Sequence, residues 1–172
     1  MPSTLAPLRL AALPLLVAFA AHAQAQGAAC DVATFTKLGL PNTRVISATT
    51  VTDDKRVPTP HCVLRAAVNE RTGTDGKPYA IGFEMRLPAN WNGGYVDQVN
   101  GGNDGNVVPA YGQLPGGMPD NALARGYAVL SSDSGHDGQA NPQAGLAGGN
   151  LFGFDHQARL DYGYTANVTP TP

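Results

Sequence analysis

Tyr79-Ala80-Ile81-Gly82-Phe83-Glu84-Met85-Arg86-Leu87 decides the fold class of this chain. Apolar residues at 79, 81, 83, 85 and 87 alternate with small or charged ones, the period-2 pattern of a β-strand with one face turned to a core. Thr74-Asp75-Gly76-Lys77 is a turn signal just before it, and Pro88 ends the ladder just after it. Upstream, Thr43 to Val51 and Cys62 to Val68 are rich in Val, Ile and Thr, with Pro-bearing polar turns between them, and read as two more strands. The segment from His61 to Leu87 is therefore expected to be an antiparallel hairpin with a long connection. A short helix precedes these strands, because Val32, Phe35 and Leu38 recur at helical spacing before Gly39 and Pro41.

Downstream the composition changes. Of 21 glycines, 15 fall between Gly93 and Gly153, which favours long shaped loops over regular elements. Trp91-Asn92-Gly93-Gly94 turns the chain into a short strand, Tyr95 to Val99, that runs into Asn100-Gly101-Gly102-Asn103-Asp104-Gly105. A short helix from Asp120 or Asn121 to Arg125, closed by Gly126, leads into an apolar strand Tyr127-Ala128-Val129-Leu130, expected to be fully buried. A second helix is expected to begin near Asp155 and to include Ala158 and Arg159.

The N-terminus sets the compartment. Arg9 is followed by an apolar run, Leu10 to Ala21, and then by Ala21-His22-Ala23 and Ala23-Gln24-Ala25, so residues 1–25 read as a secretory signal peptide cleaved after Ala23 or Ala25. The run is too short to persist as a membrane anchor. The expectation is an exported protein, periplasmic or extracellular, with no membrane partner after cleavage. Both cysteines, Cys30 and Cys62, follow the signal, and an even count in an exported chain favours a disulfide between them; a metal site would need more ligands than His61 adds. A formal net charge of −2 with 14% charged residues offers no basic face, so nucleic acid is not an expected partner.

Gly101 and Gly102, directly after a strand, leave backbone N–H groups accessible to an anion such as the oxyanion of acyl transfer. A plain glycine turn gives the same pattern. Phosphate binding lacks a Lys-Ser/Thr pair after the glycines, and a calcium-binding repeat lacks its spacing. No serine meets the G-x-S-x-G elbow rule: Ser47 is mid-strand, and after Ser131, Ser132 and Ser134 comes a loop, with His136 where the second glycine belongs. Ser131, Asp133, Ser134 and His136 lie too close in sequence to converge as nucleophile, base and orienter. Asp133 and Ser134 are expected to hydrogen-bond the backbone of a tight turn, and His61 to be a surface histidine beside a structural cysteine.

Three stretches together resemble the tannase/feruloyl esterase family of secreted α/β-hydrolases: Phe83-Glu84-Met85-Arg86-Leu87-Pro88-Ala89-Asn90-Trp91-Asn92-Gly93, Asn100 to Gly105, and Arg125-Gly126-Tyr127-Ala128-Val129-Leu130-Ser131-Ser132-Asp133-Ser134-Gly135-His136. The family shows F-E-x-R-L-P-x-x-W-N-G, a glycine-rich loop, and R-G-Y-A-V-x-x-T-D-x-G-H in this order. With the N-terminal cysteine pair the likeness runs from about Cys30 to Tyr164. It implies an α/β fold over residues 26–164: the N-terminal portion of an α/β-hydrolase sheet with an antiparallel strand start.

The activity it implies is cleavage of carboxylic esters of aromatic acids by a serine in a G-C-S-x-G-G context, with a distant Asp and His. A lid domain between them often carries a structural calcium. The triad, the lid domain and the C-terminal half are absent from these residues, so the resemblance implies a chain inactive alone, without a cofactor of its own. Its family-level partner is a small aromatic ester. By position Gly101 is the backbone oxyanion donor and Gly102 shapes the loop. Asp133, Gly135 and His136 match the T-D-x-G-H segment, with Ser132 in place of Thr, and order the pocket-side loop. Two departures stand out. Asp97 places a charge in a strand expected to be buried, and Pro170 and Pro172 forbid the long helix with which the family continues. Residues 165–172 are therefore expected to be a non-family tail left by premature termination or a frameshift. The alternatives are a small exported binding module for phenolics or saccharides, and a fragment that does not fold.

Overall fold

The computed structural model describes residues 29–113 and 120–165; the expected signal peptide, and all of the expected non-family tail 165–172 except Thr165, which ends the last helix, lie outside them. The elements are α1 (Val32–Thr36), β1 (Thr43–Val51), β2 (His61–Thr72), β3 (Pro78–Pro88), β4 (Tyr95–Gln98), β5 (Ala128–Ser132), a 3-10 stretch (Pro142–Phe154) and α2 (His156–Thr165). The strands form one mixed sheet in the order β1-β2-β3-β5-β4. The first three neighbour pairs are antiparallel and β4 runs parallel to β5.

The β2–β3 hairpin is tighter than the expected long connection. β2 continues to Thr72 because Asn69, in a left-handed backbone (φ 55), absorbs an irregularity between Val68 and Arg71. The turn closes with the Gly73 amide donating to the Lys77 carbonyl at 2.8 Å. Cys30 and Cys62 are joined by a disulfide with Cα atoms 5.7 Å apart, tying the approach to α1 onto β2.

Directly opposed residues of neighbouring strands share a face, so the register puts Glu84 beside Ser131 and Arg86 beside Val129. In the parallel pair Val96 lies beside Val129 and Gln98 beside Ser131. The segment around Ala110 and Tyr111, together with Val57, Ala122 and Leu123, covers that face and forms the core around Val129. One expectation is thereby reversed. Glu84 and Arg86, the charged half of the alternation in β3, are buried, whereas Ile81, Phe83, Met85 and Leu87 are only partly covered. The cover lies over the charged face, and those charges are neutralised within it.

Five further differences have local causes. Asn121 to Gly126 form turns in place of a helix: the Asn121 side chain accepts from the Ala124 amide at 2.8 Å, but the segment ends at Gly126 (φ 86) after a single turn. β5 starts at Ala128, and Tyr127, 37% exposed, stands outside the burial expected of it. His61 is buried, 2% exposed, under the charged face instead of on the surface. Asp97 is exposed, because β4 is an edge strand among the described residues and its 95/97 side is uncovered. The stretch 142–154, read as loop, is 3-10 helix broken at Gly145. The helix expected near Asp155 is α2, with Asp155 as its cap: its carboxylate accepts from the Ala158 amide at 2.8 Å and from the Thr74 amide at 2.9 Å. No helix among the described residues is long and apolar enough to cross a membrane.

Candidate functional site

The loop after β4 and the loop after β5 are 30 residues apart in sequence and laced together in space, as neighbouring parallel strands require at their C-terminal ends. Asn100 does most of the stapling. Its Nδ2 donates to the Ser132 carbonyl at 2.9 Å, to Ser131 Oγ at 3.3 Å and to the Asn106 carbonyl at 3.3 Å. Ser134 Oγ donates to Asp104 at 2.9 Å, and the Gly105 amide donates to the Asp133 carbonyl at 3.1 Å. Gly105 (φ 81) has to be glycine: a Cβ there would sit 2.7 Å from the Gly138 amide and 2.9 Å from His136 Nε2.

Gly101 and Gly102 crown this loop. Both are exposed, nothing approaches the space around them, and among the described residues their amides donate to no acceptor. Gly102 takes φ 73. The arrangement can present two backbone N–H groups to an anion at the C-terminal end of a parallel strand.

Asp133 is turned to the backbone, as its turn-residue reading expects. Its Oδ1 accepts from the Gly135 amide at 2.9 Å and from the Gly82 amide at 3.0 Å. Burial nevertheless dominates and pushes its carboxyl up to about 6, against the pull of those two N–H groups. Ser134 differs from the expectation, bonding Asp104 instead of its own turn. Gly135 (φ 84) lets α2 approach, since a Cβ would meet Asp161 at 2.6 Å. His136 is buried and stacked on Phe152 with ring centroids 3.7 Å apart, and burial lowers its pKa. No hydrogen bond links the His136 ring to the hydroxyl of Ser131, Ser132 or Ser134 among the described residues.

A second cluster carried no functional signal in the sequence beyond the charges of Glu84 and Arg86. Glu84 is fully buried: Oε1 accepts from Arg86 Nε at 2.7 Å and from the Ala110 amide at 3.1 Å, and Oε2 accepts from Arg65 at 2.8 Å. Burial raises its pKa, but these donors outweigh it and hold the carboxyl below its ordinary value. Asp54 Oδ2 accepts from the Tyr111 hydroxyl at 2.5 Å and lies 3.5 Å from Arg86. The Arg56 and Arg86 guanidiniums lie 3.6 and 3.9 Å from the centroid of the Tyr111 ring. His61 completes the cluster, with Nε2 3.4 Å from Arg86, and its pKa is lowered by burial and by that guanidinium.

This network holds Ala110 and Tyr111, and through them one wall of a cleft of about 470 Å³ whose lining includes Arg56, Val99, Gly101, Val108, Pro109 and Tyr111. A larger, open groove of about 790 Å³ beside Arg44 and Glu70 is lined by none of the motif residues. Among the described residues no three His, Cys, Asp or Glu side chains gather as metal ligands.

Residues 65–170 match the family model for tannase and feruloyl esterase, more than half of the chain. Over 106 residues, 62% of this chain, it is 42% identical to the mono(2-hydroxyethyl) terephthalate hydrolase of Piscinibacter sakaiensis. Over 165 residues, 90% of this chain, it is 29% identical to an uncharacterized esterase of Agrobacterium fabrum. The chain spans 18% of the length of the first relative and 28% of the second. On the family match, this chain belongs to the tannase and feruloyl esterase family.

Proposed function

We propose that this chain forms the front part of an exported α/β-hydrolase domain whose complete form cleaves carboxylic esters of aromatic acids through a serine acyl-enzyme. One observation carries the reading: the unpaired amides of Gly101 and Gly102 crown a loop at the C-terminal end of parallel strand β4, held there by Asn100. In acyl transfer such a loop supplies one donor, about 2.7–3.1 Å from the developing oxyanion. Gly101 is that donor and Gly102 gives the loop its turn. The second donor would follow a nucleophile that the 172 residues do not contain, on a strand laid along the free edge of β4. Asp133, Gly135 and His136 order the neighbouring loop and take no part in proton transfer. The disulfide supports export, and the substrate class is supported by the aromatic ester in the name of the Piscinibacter relative.

The chain by itself is expected to be inactive. Expressed for export and supplied with p-nitrophenyl acetate, it should hydrolyse the ester no faster than buffer does. Turnover that disappears on substituting Ser131, Ser132 or Ser134 with Ala would overturn the reading. A second reading, an exported binding module, is favoured by the cleft beside Gly101, and its mark is saturable binding without turnover.

A further inference from the structure

We propose that the cleft beside Gly101 is a subsite for an aromatic carboxylate, with the Arg56 guanidinium as its anion-binding group. The inference rests on the hydrolase reading only for the aromatic character of the ligand. Its anionic character follows from the charge balance around Tyr111.

Three guanidiniums, Arg56, Arg65 and Arg86, face two carboxylates there, Asp54 and Glu84. The carboxylate oxygens are already engaged. Asp54 Oδ2 is taken by Tyr111 and Arg86, and Oδ1 accepts from the Arg56 backbone amide at 2.9 Å. Both oxygens of Glu84 are satisfied by Arg86, Ala110 and Arg65. Of the three guanidiniums, Arg56 alone makes no hydrogen bond to a carboxylate among the described residues. Its side chain is 56% exposed, its Nε stands 3.7 Å from Asp54 Oδ1, and its one hydrogen-bond acceptor among the described residues is the Tyr111 hydroxyl. Most of its five N–H donors therefore remain available.

The Arg56 guanidinium carbon lies 3.6 Å from the centroid of the Tyr111 ring, a contact that holds the group in place before any ligand arrives, and a planar fork suits a carboxylate. Val99, Val108 and Pro109 supply apolar surface along the same cleft, as an aromatic ring needs. Strand alternation puts Asp97 on the opposite side of β4 from Gln98, which lines the cleft, so the Asp97 charge does not oppose the ligand. The volume, about 470 Å³, lies in the range of small-ligand sites.

Benzoate and its neutral isostere benzamide test this on the full chain by titration calorimetry at low ionic strength. Benzoate should bind about ten-fold more tightly than benzamide, and added salt should shrink the difference. Arg56→Gln should bring benzoate down to the benzamide affinity with the melting temperature preserved, and Arg56→Lys should restore part of the preference. Equal affinities in the native chain, or an unchanged preference in Arg56→Gln, would overturn the proposal. Should Arg56→Gln fail to fold, the ratio in the native chain still decides, a ratio near one counting against it. No ester is cleaved in this measurement, so its failure leaves the hydrolase reading standing, and turnover in the ester assay would leave this subsite standing.

Discussion

Asp133 and Gly82 fit each other as a pair. A Cβ at position 82 would lie 2.6 Å from the Asp133 carboxylate, so the strand residue has to be glycine for its amide to reach that carboxylate. The same carboxyl is pushed up to about 6 by burial, from an ordinary value of 3.8. The folded chain therefore holds this proton more tightly than the unfolded chain does, and between those two values the native state binds more protons. Stability contributed by this group falls as pH rises from about 4 to about 6 and levels off above that. Asp133→Asn removes the titration while keeping an oxygen acceptor. Relative to the native chain, the variant should gain stability as pH is raised from 4 to 7, read as the difference in urea midpoint at each pH; a difference independent of pH would show that the carboxyl is not perturbed. The backbone-directed role of Asp133 was legible from its residue type and its place after a strand. Its pairing with Gly82, 51 residues away, was not, since only the fold reveals it.

At the scale of elements, α1 shows how little a short helix can do alone. Five residues burying one side chain, Phe35, do not persist in isolation. The Asp31 cap, accepting from the Thr34 amide at 2.8 Å, sets where it starts, but the tether is Cys30–Cys62. Closing a loop of sequence separation 32 is worth about 3–4 kcal/mol of unfolded-chain entropy. The double substitution Cys30→Ser, Cys62→Ser should lower unfolding stability by that order, measured by urea denaturation, and an unchanged midpoint would mean α1 is anchored by packing instead. Period and composition made β1 to β5, this pairing and α2 readable, because each is set by local pattern and cysteine count. The face of β3 was not readable. Alternation shows that a strand has two unlike faces, but which one is covered depends on a segment near residue 110 with no periodicity of its own. The candidate site divides in the same way: Gly101 and Gly102 follow from a glycine pair after a strand, while Arg56, Asp54 and Tyr111 come together only through the sheet.

At the scale of the whole sheet, β4 is an edge strand among the described residues. β4 pairs with β5 and with no other strand among the described residues, its Tyr95 is 42% exposed, and Val99 just beyond it is 65% exposed. Parallel pairs are ordinarily covered on both faces, and an open strand edge with apolar side chains recruits other edges. Asp97, midway along β4 on its uncovered side, is the feature that opposes this, since two copies brought edge to edge would desolvate its carboxylate or set it near its twin. The charge that departs from the family pattern thereby opposes pairing between two copies of this chain along an edge that, in the proposed complete form, the next strand occupies. Asp97→Val should make the chain self-associate: sedimentation velocity at rising concentration should show dimers or larger species where the native chain sediments as one species, and Asp97→Asn should fall between the two. A variant that stays monomeric over the same range would mean that something other than this charge, in the native chain, shields the edge of β4.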